Sequence, residues 1–157
     1  MATMTGLQSD LVSLLKSIIE LDYDAIEAYE AAIARLENGD DKAQFSIFLA
    51  DHRRHVSDLS LLMREMGKEP PAGPDIKGVL TKGKVVLGSL LGDKAILFAM
   101  RTNEADTNTA YERAMAREDL SPTMRMAFET NLLDERRHRN WINDRLGPET
   151  DEAAAGS

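Results

Sequence analysis

Arg53-Arg54-His55 recurs in the chain as Arg136-Arg137-His138, and Ala28-Tyr29-Glu30 recurs as Ala110-Tyr111-Glu112. The two repeats have nearly the same offset, 83 and 82 residues. All four copies lie in segments where apolar residues recur every three or four positions, which is the spacing of an amphipathic helix. A nearly constant offset across two separate helices predicts that a helix pair has been duplicated and that the two pairs are related by pseudo-twofold symmetry.

Helical periodicity extends over four segments, at about residues 7–37, 42–66, 94–117 and 122–146. Short turns join the first helix to the second and the third to the fourth, so each pair is expected to form an antiparallel hairpin. The connection over residues 67–93 has length enough to return along the whole bundle. The sequence therefore predicts an all-α, antiparallel four-helix bundle domain over residues 1–148, with one long crossover between helices 2 and 3 and a flexible tail over 149–157.

Composition excludes several classes of function. The chain has 157 residues, with 27 acidic and 19 basic side chains and a formal charge of -8, which disfavours binding to nucleic acid and to membrane surfaces. Cysteine is absent, so any metal must be bound by carboxylates and imidazoles. No signal sequence and no apolar stretch of membrane-spanning length is recognisable, so a soluble, cytoplasmic protein is expected.

Each predicted helix carries one stripe of core-facing residues, and ionisable side chains interrupt every stripe near its middle. The four stripes run from Leu11 to Leu36, from Phe45 to Met66, from Leu97 to Ala114 and from Met124 to Ile142. The ionisable residues within them are Asp22, His52, His55, Glu104, Glu135 and His138. These six include every histidine of the chain.

The six residues form a candidate metal site. An unpaired buried charge costs several kcal/mol, so six at one level of a bundle require mutual pairing, protonation or a bound cation. His52 and His55 are three residues apart, as are Glu135 and His138, so each pair can reach one ion. Carboxylates mixed with imidazoles are the ligands expected for iron, manganese or zinc. Taken singly, each residue is more often a hydrogen-bonded core residue, whereas the matched set on four helices favours a metal.

This pattern resembles the ferritin-like superfamily, in particular rubrerythrin-like and related small bacterial four-helix-bundle proteins of unknown function, over about residues 7–146. Glu135-Arg136-Arg137-His138 matches the Glu-x-x-His motif on the family's fourth helix. Glu104 with Tyr111 seven residues later is similar to the rubrerythrin carboxylate and tyrosine, and Asp22 with Tyr29 is a shortened version on helix 1. The resemblance implies a di-iron carboxylate centre.

Helix 2 departs from the family pattern. Its sequence is Asp51-His52-Arg53-Arg54-His55, with His52 where the family has the glutamate that bridges the two irons. Four carboxylates neutralise two divalent ions, whereas Asp22, Glu104 and Glu135 leave a formal excess of +1. One metal ion, two loosely bridged ions and a site that has lost its metal are all open.

Residues around the six ligand candidates have supporting roles in this hypothesis. Tyr29 and Tyr111 each follow an acidic candidate by two helical turns, where the hydroxyl could form a hydrogen bond with a residue that supports a metal ligand. Plain core packing is an alternative for both tyrosines. Asp51 could turn inward to replace the missing glutamate. The arginine pairs of the repeat are expected to point away from the core and to pair with Asp51, Asp134 and other surface acids.

The resemblance implies an oxidoreductase of ferroxidase or peroxidase type that binds iron, with manganese or zinc as alternatives, and acts in iron oxidation and handling or in peroxide defence. A different class of function is a non-enzymatic stress or scaffold bundle, whose polar core binds zinc or holds no metal. A homodimer formed through a long helix face is compatible with either function.

Overall fold

The computed structural model describes residues 3–74 and 92–147, which form four α-helices and no β-strand. The helices are α1 (Leu11–Arg35), α2 (Gly39–Glu65), α3 (Asp93–Met115) and α4 (Pro122–Leu146). α1 packs against α2 and α3, and α4 packs against α3 and α2. The predicted all-α four-helix bundle is confirmed. None of the four described helices has an apolar stretch that could cross a lipid bilayer.

Capping side chains determine where the helices begin. Asp10 accepts a hydrogen bond from the backbone N–H of Ser13, so α1 begins at Leu11 rather than at about residue 7. Asn38 caps α2 in the same way, which moves its start to Gly39 from the predicted residue 42. Ser121 caps α4 with Pro122 in the first turn, as the Ser-Pro pair predicts.

Contacts at one end of the bundle establish that neighbouring helices are antiparallel. The Asp93 carboxylate, at the start of α3, accepts hydrogen bonds from the N–H groups of Glu37 and Asn38 just beyond the end of α1. Arg145 near the end of α4 pairs with Asp41 near the start of α2. α2 therefore ends and α3 begins at opposite ends of the bundle, as the predicted crossover requires. Most of the predicted connection and the tail, residues 75–91 and 148–157, lie outside the described residues.

The apolar core consists of two clusters separated by a polar layer at mid-bundle. One cluster contains Leu15, Ile18, Leu59, Met63 and Phe128. The other contains Ala32, Phe45, Phe48, Met100 and Ile142. The predicted stripes are buried with one clear exception. Met66 is 41 % exposed because it follows the last residue of α2, and Met63 takes its place in the core.

Replacing Phe128 tests the packing beside the polar layer. We expect Phe128→Ala to lower the free energy of unfolding by about 3–5 kcal/mol, because the side chain is fully buried and its removal leaves a cavity. Met126→Ala on the same helix is the control, with a change within about 0.5 kcal/mol, because Met126 is 69 % exposed. Urea denaturation measures both changes, and similar losses in the two variants would contradict the packing described here.

Candidate metal centre

The structure brings all six predicted residues together in the polar layer between the two apolar clusters. Their side chains come from all four helices, and none is more than 1 % exposed. Ligand atoms within two overlapping groups lie within 4.8 Å of one another: Asp22, His52, His55 and Glu135 in the first, and His52, Glu104, Glu135 and His138 in the second. Each group could hold a metal ion, and His52 and Glu135 belong to both groups.

The centre follows the pseudo-twofold symmetry expected from the sequence repeat. The offset of 82 or 83 residues pairs Asp22 with Glu104, His55 with His138 and His52 with Glu135. Equivalent contacts cross between the two halves of the bundle. The Tyr111 hydroxyl donates to Asp22 Oδ2 at 2.6 Å, and the Tyr29 hydroxyl donates to Glu104 Oε1. Both tyrosines therefore hold a carboxylate of the opposite half, rather than one on their own helix.

Two carboxylates on α2 and α4 lie behind the histidines. Asp51 Oδ2 is 2.9 Å from Nε2 of His138, and Asp134 Oδ2 is 3.1 Å from Nε2 of His55. A carboxylate in this position fixes the imidazole ring and leaves its other nitrogen for the centre. Asp51 does not turn inward to replace a missing ligand, because its carboxylate is held by His138 and by two arginines.

Asp134 was predicted only as a partner for arginine, and its contact with His55 was missed. Its offset of 83 residues from Asp51 is the signal in the sequence that could have found it. Arg54 pairs with Asp51 and Asp134, and so does Arg137. These partly exposed ion pairs close the seam between α2 and α4 outside the histidines. The arginines point away from the core, as predicted.

The hydrogen bonds within the centre are unevenly distributed. Asp22 Oδ1 is bonded to Nδ1 of His52 at 2.9 Å and to Nδ1 of His55 at 3.3 Å. Among the described residues, no hydrogen-bond partner exists for His52 Nε2, for His138 Nδ1 or for either carboxylate oxygen of Glu135. Glu135 Oε1 lies 3.3 Å from the Nδ1 atoms of His52 and His55, but outside hydrogen-bond geometry. Buried donors and acceptors without partners fit a bound cation, because it would satisfy several of them at once.

Amide and hydroxyl side chains that sequence reasoning did not identify support the ligand candidates. Asn108 Nδ2 donates to the backbone carbonyls of Glu104 at 2.7 Å and of Glu135 at 3.0 Å, which ties α3 to α4 beside the centre. Thr107 donates to Glu104, and Asn131 donates to the Tyr111 hydroxyl at 3.2 Å. Thr107 and Asn131 lay in the predicted core stripes, but nothing in the stripe pattern predicts their partners.

Comparison with known proteins shows a family. A family model described as a domain of unknown function, DUF2383, matches residues 10–117, which is more than half of the chain. The chain belongs to the DUF2383 family. The match extends over α1, α2 and α3 and ends before α4, so two of the six residues of this family member, Glu135 and His138, lie beyond it.

The fold of this DUF2383 protein is similar to a solved one. The crystal structure of a conserved hypothetical protein, Rv2844, from Mycobacterium tuberculosis has a TM-score of 0.67 and 16% sequence identity, and the alignment covers 84% of this chain and 93% of that chain. A likeness at this identity shows a shared fold and carries no function. Among curated proteins, no significant match is found.

Electrostatics in the DUF2383 centre favour charged histidines when no metal is bound. Burial by itself lowers the pKa of His52, but the carboxylates of Glu135, Asp22 and Glu104 outweigh it and raise the pKa to about 10. Burial likewise opposes protonation of His55 and His138, whose carboxylate partners raise both pKa values. Imidazolium ions therefore balance the buried carboxylates in the metal-free protein.

The carboxylates of the centre differ from one another. Burial alone raises the pKa of Asp22, but hydrogen bonds with His52 and His55 lower it to about 2. Burial raises the pKa of Glu135, His52 opposes this shift, and the charge of Glu104 adds to it. Glu135 is therefore the carboxylate whose charge is least compensated by its neighbours.

The pKa of His52 predicts how the stability of the metal-free protein depends on pH. A histidine whose pKa rises on folding stabilises the protein fully below the unfolded-state value of 6.5, and this contribution is lost as the pH rises towards about 10. Between pH 7 and 9 we expect the free energy of unfolding to fall as the pH rises. In His52→Gln this fall should be less steep by about 1.4 kcal/mol per pH unit, because one proton fewer is bound on folding. Urea denaturation in the presence of a chelator measures both slopes, and equal slopes would contradict a charged His52.

Proposed function

We propose that this protein binds a transition metal, iron or manganese, among the core carboxylates and histidines, and acts in iron oxidation and handling or in peroxide defence. The observation that carries the proposal is that buried imidazole and carboxylate groups from four helices lie close together. Several of their atoms have no hydrogen-bond partner among the described residues. His138 has its Nε2 atom on the outer carboxylate of Asp51 and its Nδ1 atom free towards the centre, as metal-bound histidines commonly do.

The ligand chemistry supports iron or manganese over other cations. Calcium and magnesium favour sites built from oxygen atoms, whereas three imidazoles are present in this centre. Zinc remains compatible with the same nitrogen and oxygen ligands. The ferritin-like resemblance adds support for iron, because its carboxylates on helices 1 and 3 and its Glu-x-x-His on helix 4 correspond to Asp22, Glu104 and the pair Glu135 and His138.

The residues around the centre suit a redox role. In the proposed reaction one hydrogen peroxide molecule would take two electrons from two ferrous ions and two protons (H⁺) from the surrounding solution, and would give two water molecules and two ferric ions. Burial, together with the nearby charge of Glu104, raises the pKa of Tyr29 well above its usual range, so its hydroxyl keeps its proton and holds the Glu104 carboxylate in place. The ion pairs of Arg54 and Arg137 limit access of bulk water from the α2–α4 side.

A second candidate function is a structural bundle whose polar core holds zinc or no metal. The observation in its favour is that Asp22 and His55 already have hydrogen-bond partners for every polar side-chain atom. A salt-bridged core of this kind specifies how helices pair without any catalytic role.

Metal analysis separates the two functions. Protein purified without chelators is expected to contain iron or manganese, and added Fe²⁺ or Mn²⁺ should raise the melting temperature in proportion to the logarithm of its concentration above the dissociation constant. Added ferrous iron should also be oxidised faster than in a protein-free blank when peroxide or dioxygen is present. Absence of both metals, combined with an oxidation rate equal to the blank, would exclude the redox function.

The outer carboxylates provide a more specific prediction. Asp51→Asn should weaken metal binding by about 10–100-fold, because the amide fixes the His138 imidazole less well and makes it a poorer ligand. Asp58→Asn is the matched control, since this acid lies on the same helix, is 53 % exposed and contacts only Arg54 among the ion pairs of the described residues. Titration with Mn²⁺ gives both affinities. Equal affinities in the two variants would contradict the outer-carboxylate role.

A further inference from the structure

The two ligand groups of the centre differ in how their polar atoms are already satisfied. In the group that contains Asp22 and His55, both oxygens of Asp22 and both ring nitrogens of His55 are hydrogen-bonded to Tyr111, Asp134 and the histidines. A cation entering between these two residues would have to displace hydrogen bonds that are already formed. Such a displacement leaves buried donors and acceptors without partners, which is unfavourable.

In the group that contains Glu104 and His138, Glu104 alone has both side-chain oxygens engaged, Oε1 by Tyr29 and Oε2 by Thr107. His52 Nε2, His138 Nδ1 and both oxygens of Glu135 have no hydrogen-bond partner among the described residues, and all three side chains are fully buried. His52 Nε2 lies 3.7 Å and His138 Nδ1 lies 3.5 Å from the same atom, Oε1 of Glu104. The four side chains therefore present two imidazole nitrogens and two carboxylates to one another across a short gap.

His52 belongs to both ligand groups. It is the reason why one group has more of its ligand atoms hydrogen-bonded than the other. Its Nδ1 atom is bonded to Asp22, so only Nε2 faces Glu104. The symmetry-related position is occupied by Glu135, whose two oxygens face the histidines of both halves. An imidazole with one nitrogen held by a carboxylate has a single remaining ligand atom, whereas a carboxylate can bridge two ions.

Resting on the metal binding proposed above, we propose that the centre holds one metal ion per chain, bound by His52 Nε2, Glu104, Glu135 and His138 Nδ1. The remaining residues of the centre form a hydrogen-bonded network without a metal. They are Asp22, His55, Asp134 and Tyr111. Asp22 is a positioning residue that directs Nε2 of His52 to the ion. Two nitrogen and two oxygen ligands suit a single Fe²⁺, Mn²⁺ or Zn²⁺ ion.

One ion per chain also restricts the chemistry. A single ferrous ion provides one electron, so reduction of a peroxide by two electrons uses two ferrous ions bound in succession, or one from each of two chains. Reactions that require two adjacent metal ions about 3.5–4 Å apart are not expected of this centre.

Pseudo-symmetry supplies the matched variants for the test. His138→Ala removes a histidine from the proposed metal-binding group, and His55→Ala removes the symmetry-related histidine from the hydrogen-bonded network. Metal-free full-length protein is loaded anaerobically with Fe²⁺, and in parallel with Mn²⁺ and with Zn²⁺, separated from unbound metal by gel filtration, and analysed for metal per chain. We expect one ion in the unaltered protein, one in His55→Ala, and less than a tenth of an ion in His138→Ala.

A gain-of-binding variant tests the role of His52. His52→Glu restores a second carboxylate that can bridge, so we expect two ions per chain. Circular dichroism of every variant verifies the helical fold, and His138→Gln and His55→Gln replace the alanine variants if those do not fold.

The outcomes separate failure of this inference from failure of the proposed function. Two ions in the unaltered protein, or equal loss of metal from the His55 and His138 variants, would overturn the one-ion centre and leave metal binding intact. A single ion in His52→Glu would overturn the role of His52. Absence of all three metals from the unaltered protein would overturn the proposed metal-binding function itself.

Discussion

Six ionisable side chains are buried at the middle of this bundle, between two apolar clusters, where water cannot compensate their charges. Charges buried in this way require oppositely charged or polar partners on neighbouring helices, or a bound cation, because a lone charge in such an interior costs several kcal/mol. The helices are consequently held in register at this level by directional contacts between polar groups. Apolar packing above and below is tolerant of small shifts by comparison.

The hydrogen bonds of Asp22 with His52 and His55 lie within the first helical hairpin, whereas the tyrosine contacts and the outer-carboxylate contacts cross between the two hairpins. Tyr29 of α1 holds a carboxylate of α3, Asp51 of α2 holds an imidazole of α4, and the symmetry-related residues repeat both contacts in the other direction. The centre therefore exists only when the hairpins have docked. Docking and formation of the ligand set are one event, and a metal that binds only the docked state stabilises it.

Charge balance explains how the same residues can exist with and without a metal. Five carboxylates, at positions 22, 51, 104, 134 and 135, face Arg54, Arg137 and three histidines whose pKa values are raised. With all five carboxylates ionised and all three imidazoles protonated, positive and negative charges are equal in number. A metal ion can then replace protons on the imidazoles that bind it, with little rearrangement of the surrounding ion pairs.

Much of this organisation is determined by the sequence alone. The spacing of apolar residues predicts four helices, and the near-constant offset of the repeats predicts two related hairpins. The six ionisable residues are recognisable because each interrupts an apolar stripe, and periodicity reveals which side chains of a helix face the core. Helix ends were less well predicted. Asp10 and Asn38 are cap residues whose effect depends on local backbone conformation, which periodicity does not reveal.

Only the tertiary structure decided which groups are partners. The pairing of Asp134 with His55, the crossed tyrosine contacts and the hydrogen bond from His52 to Asp22 all join residues on different helices, at separations of 30 to 89 residues. A helical pattern assigns each side chain to a face of its own helix but contains no information about the rotation and axial position of a neighbouring helix. Those two quantities decide which nitrogen of His52 faces Asp22 and which is free to face Glu104.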